Sequence, residues 1–318
     1  MFKGQTGLIL GATGSWGREL TKQLLEKKVK EIRAYSRNEF LQVKMQREFN
    51  DHRIKFILGD VRDYESLNNA SKGVNFIMVL AALKHVPLGE EFCEEFLKTN
   101  VNGVLNAIKA AVQNKVSKVV YCSTDKAANP INLYGLTKAI GEKLIVNANN
   151  YPTKFMCIRG GNVLGTNGSV VPLFIDQIKK SNKITITDRE MTRYFLTIGE
   201  AIKLVILAYE SNISGGIIVM RMPSCRIIDL AEVLIDYYGN KDTKIEETGI
   251  RPGEKLHETL VTSYESPHTY EYSGNYYVIC RKDLDFKKVN FKEYTSNSQN
   301  LMSKEEIKNM LKEGGFLL

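Results

Sequence analysis

Cysteine, histidine and long apolar runs are scarce in this 318-residue sequence. The five cysteines, at 93, 122, 157, 225 and 280, are odd in number and far apart, with no Cys-x-x-Cys pair. That pattern excludes a disulfide framework and a thiolate zinc site, and it favours a reducing cytoplasm. The four histidines, His52, His85, His257 and His268, show neither His-x-x-x-His nor His-Glu-x-x-His spacing, so no metal is expected. The most apolar stretch, residues 76–83, falls far short of the ~20 residues a membrane helix needs. The N-terminus enters a strand pattern within a few residues, so no signal peptide is expected. A cytoplasmic, soluble chain with no membrane partner is the expectation.

No strong charge cluster is present either. The net charge is +8, but the basic residues are spread along the chain. The densest groups, Lys27, Lys28 and Lys30, then Lys179, Lys180 and Lys183, read as solvated helix ends rather than a nucleic-acid surface. A diffuse basic surface suits a small, multiply anionic ligand such as a nucleotide diphosphate. The length exceeds what one core usually serves, so two lobes are expected.

Strand and helix patterns alternate through the first half. Apolar strand-like runs fall at 6–10, 31–35, 54–58, 74–80, 118–122 and 154–158. Helical spacings lie between them at 18–28, 40–49, 64–70, 101–114 and 134–149. Continuous apolar strands are buried on both faces, and strict alternation implies a doubly wound parallel sheet, an α/β Rossmann architecture. Residues 1–165 are expected to form this dinucleotide-binding domain, with segments near 194–222 returning to it. Residues 166–193 and 223–318 read as a smaller, C-terminal substrate-binding lobe and tail over the sheet's carboxyl edge. The tail ends in a helix at 303–312, where Ser303 and Glu306 have capping-box spacing.

Gly11-Ala12-Thr13-Gly14-Ser15-Trp16-Gly17 follows the first strand and opens the first helix. Such glycines let the backbone approach a pyrophosphate, and the helix N-terminus supplies donors. The G-x-x-G-x-x-G spacing resembles the extended short-chain dehydrogenase/reductase superfamily. The second strand ends in Ser36-Arg37, where an NAD-selective protein usually carries an acidic residue. Arg37 can pair with a 2′-phosphate, so the expected cofactor is NADP(H). Asp60-Val61 is placed to meet the adenine edge, and Ala81-Ala82 offers small side chains where the dinucleotide crosses the sheet.

The fifth strand delivers Ser123-Thr124-Asp125-Lys126 to the carboxyl edge, where ligands bind in such folds. Tyr134 and Lys138 share a helical face, and an ammonium near a phenol favours the phenolate, a base for a sugar hydroxyl. Asp125-Lys126 adds an acid and a base. Oxidation at sugar C4 acidifies the C5 proton, so this pair can remove that proton and protonate the departing C6 hydroxyl. The chemistry is then elimination of water. As neighbours, however, the two favour each other's charged forms, and they are expected to titrate as one unit.

The segment Ser123-Thr124-Asp125-Lys126-Ala127-Ala128-Asn129-Pro130-Ile131-Asn132-Leu133-Tyr134-Gly135 resembles the inverting, C5-epimerising UDP-N-acetylglucosamine 4,6-dehydratases, which open pseudaminic acid biosynthesis. The likeness extends to Lys98-Thr99-Asn100, Gly161-Asn162-Val163, Gly168-Ser169-Val170-Val171-Pro172, Met191-Thr192-Arg193 and Gly249-Ile250-Arg251-Pro252-Gly253-Glu254-Lys255. It implies bound NADP(H) that is reduced and reoxidised in each turnover, and a UDP-sugar substrate. It implies Thr124 as a hydrogen-bond donor to the sugar, Asp125 as acid at C6, Lys126 as base at C5 and Tyr134 as base at O4. A homo-oligomer, hexamer or dimer, is implied too. Lys84, beside Ala81-Ala82, is expected to serve cofactor and substrate. Arg193 and Arg251 suit a diphosphate clamp. Glu254 joins that substrate set, and Asn162 with the backbone near Val170 and Val171 suits phosphate and uracil.

The chain departs from that pattern near the site. The glycine loop has Ser15-Trp16 where a glycine and a phenylalanine are commoner. Gly160 stands where a tyrosine is usual, His85 replaces a glutamine, and Leu80 replaces a small residue. These changes keep an alternative open: an NADPH-dependent reductase or epimerase acting on a related UDP-4-keto-6-deoxy-sugar. A cofactor-binding regulator without catalysis is a third reading, opposed by Asp125, Lys126, Tyr134 and Lys138.

Overall fold

A strand that is apolar on both faces needs a cover on each side, and the chain supplies one with helices. The computed structural model describes residues 1–148, 151–166, 168–298 and 300–317. Its first half contains β1 (Thr6–Leu10), α1 (Ser15–Glu26), β2 (Glu31–Ser36), α2 (Glu39–Phe49), β3 (Ile54–Leu58), α3 (Tyr64–Ala70) and β4 (Phe76–Val79). Short helices α4 (Val86–Glu91) and α5 (Cys93–Phe96) lead through a π-helical segment, Leu97–Asn102, into α6 (Gly103–Gln113). Then come β5 (Lys118–Thr124), a 3-10 turn at Asp125–Ala127, α7 (Leu133–Asn147) and β6 (Lys154–Gly160). Asn149, the expected end of the last helix, lies outside the described residues.

The second half contains β7 (Asn162–Val163), α8 (Val170–Ser181), β8 (Lys183–Ile186), β9 (Thr192–Leu196), α9 (Ile198–Glu210) and β10 (Gly216–Met220). It continues with β11 (Ser224–Arg226), α10 (Ile227–Tyr238), β12 (Lys244–Glu247), β13 (Thr259–Val261), β14 (Thr269–Tyr272), β15 (Tyr276–Cys280), β16 (Tyr294–Thr295) and α11 (Lys304–Glu313). α11 carries the expected capping box, with Ser303 and Glu306 bonded reciprocally.

The main sheet runs β14-β15-β10-β6-β5-β4-β1-β2-β3. From β10 to β3 every pairing is parallel. The order reverses between β1 and β4, and that switch point is where such sheets take a ligand. The hairpin β14-β15 then adds an antiparallel edge. The sequence reading placed 223–318 in the smaller lobe and tail; within that stretch, residues 269–280 pair with the main sheet. The tyrosine-rich strands meet at Ser273-Gly274, both at positive φ, a turn signal that the charged surroundings obscured.

One core fills the space between this sheet and its helices, around Leu8, Ile77, Val119, Ile158 and Ile218. A second core, around Phe174, Ile184, Leu230, Leu234, Ile307 and Leu311, binds α8, α10 and α11 into the smaller lobe. Among the described residues, no helix is long and apolar enough to cross a membrane.

Arg159 on β6 fastens the sheet to both flanks. Its guanidinium is fully buried and donates to both oxygens of Glu142 on α7, at 3.0 and 2.6 Å, and to both of Glu265, at 2.9 and 2.8 Å. Burial alone raises a carboxyl's pKa, but the Arg159 charge and hydrogen bonds outweigh it and bring Glu265 from 4.5 to about 2. A depressed carboxyl stabilises the fold fully above its unfolded value, and that contribution is lost as pH falls through the folded one. Acidification from about pH 4.5 to 2 should therefore remove about 3 kcal/mol of stability through this group. Unfolding of wild type and Glu265→Gln across that range checks it, since the variant should lose part of the pH slope.

Candidate active site

The glycine loop leaves β1 at the switch point. Gly11 sits at φ +87°, and a Cβ there would lie 2.8 Å from the Ala81 nitrogen, so the loop and the end of β4 must touch through backbone. Gly17 serves packing: a Cβ there would stand 2.4 Å from the Ala12 carbonyl oxygen. Gly14 is the N-cap of α1, with no side-chain cap and no acidic residue in the first turn. The first N–H groups of Ser15, Trp16 and Gly17 thus have no intrahelical acceptor. Thr13 borders the same turn.

At the far end, Ser36 is buried and its hydroxyl accepts from Gln42 at 3.0 Å. Arg37 is half exposed and lies 3.6 Å from Asp60, which Arg62 holds at 2.6 Å. Burial raises the Asp60 carboxyl, but hydrogen bonds from Arg62 and the Arg37 charge win and lower it. Val61 is buried against Gly103. Asn100, in the π-helical segment, clamps Leu83 through both its N–H and its carbonyl, at 2.8 and 2.9 Å. That clamp fixes the stretch holding Ala81, Ala82 and Lys84, whose ammonium is lowered by burial. The π turn explains why the sequence pattern revealed a helix only from 101: an extra residue per turn breaks the 3.6 period.

β5 ends at Thr124, which caps the 3-10 turn. The Thr124 hydroxyl donates to Asp125 Oδ1 at 2.8 Å, and Lys126 Nζ donates to the same oxygen at 3.0 Å. Burial pushes the Asp125 carboxyl up; the Lys126 ammonium opposes this and the Glu258 charge adds to it. Burial draws the Lys126 ammonium down, but the charges of Asp125 and Glu258 outweigh it and hold it above its usual range. Lys138 donates to the Cys122 carbonyl at 2.6 Å and lies over the Tyr121 ring, and burial brings it down to about 8. Burial pushes Tyr134 up to about 12, partly offset by the Lys126 charge and a hydrogen bond with Thr124. Of the charges that act on Tyr134, the Lys126 ammonium favours its phenolate and the Asp125 carboxylate opposes it.

The C-terminal segment folds back over this turn. Asn132 donates to the Gly253 carbonyl at 2.7 Å, and Lys255 donates to the Ala128 carbonyl at 2.6 Å. This delivers Glu258, which sequence reasoning missed, to within 3.3 Å of Lys126 Nζ. Its signal was faint: a lone acid three residues beyond the last quoted motif. Arg193 is buried and already committed. Its Nη1 donates to the Thr192 and Leu256 carbonyls and its Nη2 to that of Lys255, while Glu254 and Glu258 lie 3.6 and 3.8 Å away. Arg251 is exposed instead. Asn162 Oδ1 stands 3.5 Å from Lys126 Nζ. Val170 and Val171 open α8, whose N-cap Ser169 makes no side-chain cap. Ser123 Oγ, Asp125 Oδ2, Glu254 Oε2 and Glu258 Oε2 are buried without a hydrogen-bond partner, so this end of the sheet holds unused polar capacity.

Two departures from the family pattern are one feature in space. The Trp16 ring edge lies 3.6 Å from where a Cβ of Gly160 would be, so the larger indole stands over the residue that has lost a side chain.

The fold is that of a doubly wound α/β protein of the Rossmann type, with the glycine loop at its switch point and the Asp125-Lys126 pair at the carboxyl edge of its sheet. The profile of the family described as polysaccharide biosynthesis protein matches residues 8–280, and the chain belongs to that family. A UDP-N-acetylglucosamine 4,6-dehydratase (inverting) of Campylobacter jejuni is 43% identical, over 88% of this chain and 84% of the relative. An uncharacterised membrane protein of Methanocaldococcus jannaschii is 41% identical, over 99% and 98%. A UDP-glucose 4-epimerase of Rickettsia bellii is 40% identical, over 98% and 96%. Among solved structures, Pen from Bacillus thuringiensis superposes with a TM-score of 0.95, at 37% identity and full coverage of both chains.

Proposed function

We propose that the chain dehydrates UDP-N-acetylglucosamine to a UDP-4-keto-6-deoxy-hexosamine, with epimerisation at C5 and no net redox change. The observation that carries this reading is the Asp125-Lys126 pair, with Nζ 3.0 Å from Oδ1, the carboxylate buried, the ammonium partly exposed, and both charges acting on Tyr134. Simple hydride transfer needs only Tyr134 and Lys138. An acid and a base at the same edge serve elimination.

The residues present fit a nicotinamide dinucleotide. Gly11, Thr13, Gly14, Ser15, Trp16 and Gly17 would hold its pyrophosphate; Ser36 and Arg37 its 2′-phosphate; Asp60 and Val61 its adenine; Ala81, Ala82, Lys84, Tyr134 and Lys138 its reactive end. When bound, it stores the electrons withdrawn from C4 until they return to the sugar. Tyr134 takes the O4 proton, and Thr124 donates a hydrogen bond to the same sugar. Lys126 removes the C5 proton and Asp125 protonates the departing C6 hydroxyl. Arg251, Asn162, Glu254 and the N-terminus of α8 at Val170 and Val171 bind the UDP moiety, with Arg193 shaping that wall from behind.

Incubation with UDP-N-acetylglucosamine in heavy water, without added NADPH, tests the reading. The expected product is a keto-deoxy sugar with deuterium and inverted configuration at C5, seen by NMR. A UDP-hexose merely inverted at C4 would instead establish the epimerase reading, which the Rickettsia relative favours. Stoichiometric consumption of NADPH would establish a reductase.

Arg37 supports NADP over NAD. Arg37→Ala should weaken NADP binding about 10-fold while leaving NAD almost untouched, as loss of one charge-assisted hydrogen bond implies. Titration of both cofactors checks this, and equal losses would remove the NADP assignment. A homo-oligomer, dimer or hexamer, is supported by the exposed Leu136 and Ile140 of α7. They border a surface hollow of about 480 Å³ shared with Leu105 and Ile108 of α6. A cytoplasmic place in pseudaminic acid synthesis, and so in flagellin glycosylation, follows from the dehydratase resemblance.

A further inference from the structure

We infer that Glu258 is the third member of the acid–base apparatus, a positioning residue that accepts the Lys126 proton when substrate covers the site. The inference rests on the dehydration proposed above. Lys126 Nζ lies 3.0 Å from Asp125 Oδ1 and 3.3 Å from Glu258 Oε1, and the two carboxylate side chains are 0% and 2% exposed. The remaining groups around them are few. Arg193 Nε and Lys255 Nζ face Glu258 at 3.8 and 3.7 Å, Thr124 bonds Asp125, and Asn162 meets Lys126. Tyr134 completes the circle.

Elimination needs Lys126 as a free amine and Asp125 as a carboxylic acid at the same moment. Two groups alone collapse into a carboxylate–ammonium pair. Three groups sharing two protons do not have to. On this inference the two protons of the ligand-free protein sit on Asp125 and Lys126, and Glu258 is the carboxylate. The directions of the three groups agree, with Asp125 and Lys126 raised and Glu258, despite its burial, lowered by the surrounding cations. Covering the site disfavours the ion pair relative to its neutral form, because buried charge is costlier than buried acid and amine.

One proton then crosses the 3.3 Å contact from Lys126 to Glu258. The Lys126 amine takes the proton from C5. The C5–C6 double bond forms as the C6–O bond breaks, and Asp125 gives its proton to the oxygen, which leaves as water. Lys126 is now an ammonium, Asp125 a carboxylate and Glu258 an acid. Lys126 returns a proton to Asp125 across 3.0 Å and takes the one held by Glu258, restoring the starting state. The trio holds two protons throughout; the one taken from C5 replaces the one lost to water.

Infrared spectroscopy of the ligand-free protein tests the proton count. The difference between wild type and Asp125→Asn should show a protonated carboxyl at neutral pH. Glu258→Gln should erase that band, because Asp125 then ionises against Lys126 alone. In single turnover, Glu258→Gln should still bind UDP-N-acetylglucosamine and show the near-ultraviolet absorbance of reduced nicotinamide. It should form keto-deoxy product about 100-fold more slowly, with kcat lowered and KM kept. Glu258→Asp retains an acceptor and should recover part of the rate. No carboxyl band in wild type at neutral pH overturns the inference, even if the variants fail to fold. An unchanged band in Glu258→Gln, a wild-type rate, or equal losses in the two variants also overturn it. If wild type dehydrates no UDP-hexose, the proposed function falls instead, and the ligand-free spectra still decide the protonation of Asp125.

Discussion

Asp125→Asn combined with Lys126→Ala should leave UDP-N-acetylglucosamine binding intact and abolish keto-deoxy product, a loss of about 1,000-fold or more. General acid and general base catalysis each contribute roughly 100- to 10,000-fold. Both groups stand at one end of β5, so the variant removes both from one place. The fold should survive. Asparagine keeps the volume of Asp125 and its bond to Thr124. Loss of the Lys126 ammonium leaves Glu258 still facing Arg193 and Lys255. Calorimetric titration with the UDP-sugar and NMR of the reaction mixture check the two halves. Product at an undiminished rate would place the elimination chemistry elsewhere.

The second large effect is on stability. Arg159→Met should destabilise the chain by about 3–5 kcal/mol, the usual cost of removing one partner from a buried ion network. The guanidinium serves two carboxylates from two directions, and no solvent reaches it. Its Nη1 also donates to the Leu260 carbonyl at 2.6 Å, so methionine strands an acceptor as well. Adding Glu142→Gln and Glu265→Gln should recover much of the loss, because neutral amides can remain buried where unpaired charges cannot. Denaturant unfolding of the single and triple variants measures both. A single variant within 1 kcal/mol of wild type would show that the network carries little net stability.

The Rossmann half was legible because its central strands β1 and β4 are largely apolar and strands are punctuated by glycine, as at Leu10-Gly11 and Leu58-Gly59. The candidate catalytic turn was legible because its residues are local: Thr124, Asp125 and Lys126 are consecutive, and Tyr134 and Lys138 are one helical turn apart. What escaped depends on distant contacts. Glu258 matters only because Lys255 and Gly253 are pinned to Ala128 and Asn132, 127 and 121 residues away. Arg193 read as an open fork, but the carbonyls of Lys255 and Leu256 occupy it. The β14-β15 hairpin escaped because its partner, β10, precedes it by some fifty residues.

The pinning of residues 253–258 onto 128–132 also sets an order of events during synthesis. The glycine loop, β5 and α7 leave the ribosome early, and N-terminal elements fold first. A nascent chain that has its nucleotide-binding strands still lacks the carboxylate beside Lys126, and it lacks the last two strands of the main sheet. No fragment ending before Glu258 can set the proton balance of Asp125 and Lys126. On the proposed function, an unfinished chain is thereby kept inactive, and activity arrives only when residues 253–258 have closed over residues 128–132.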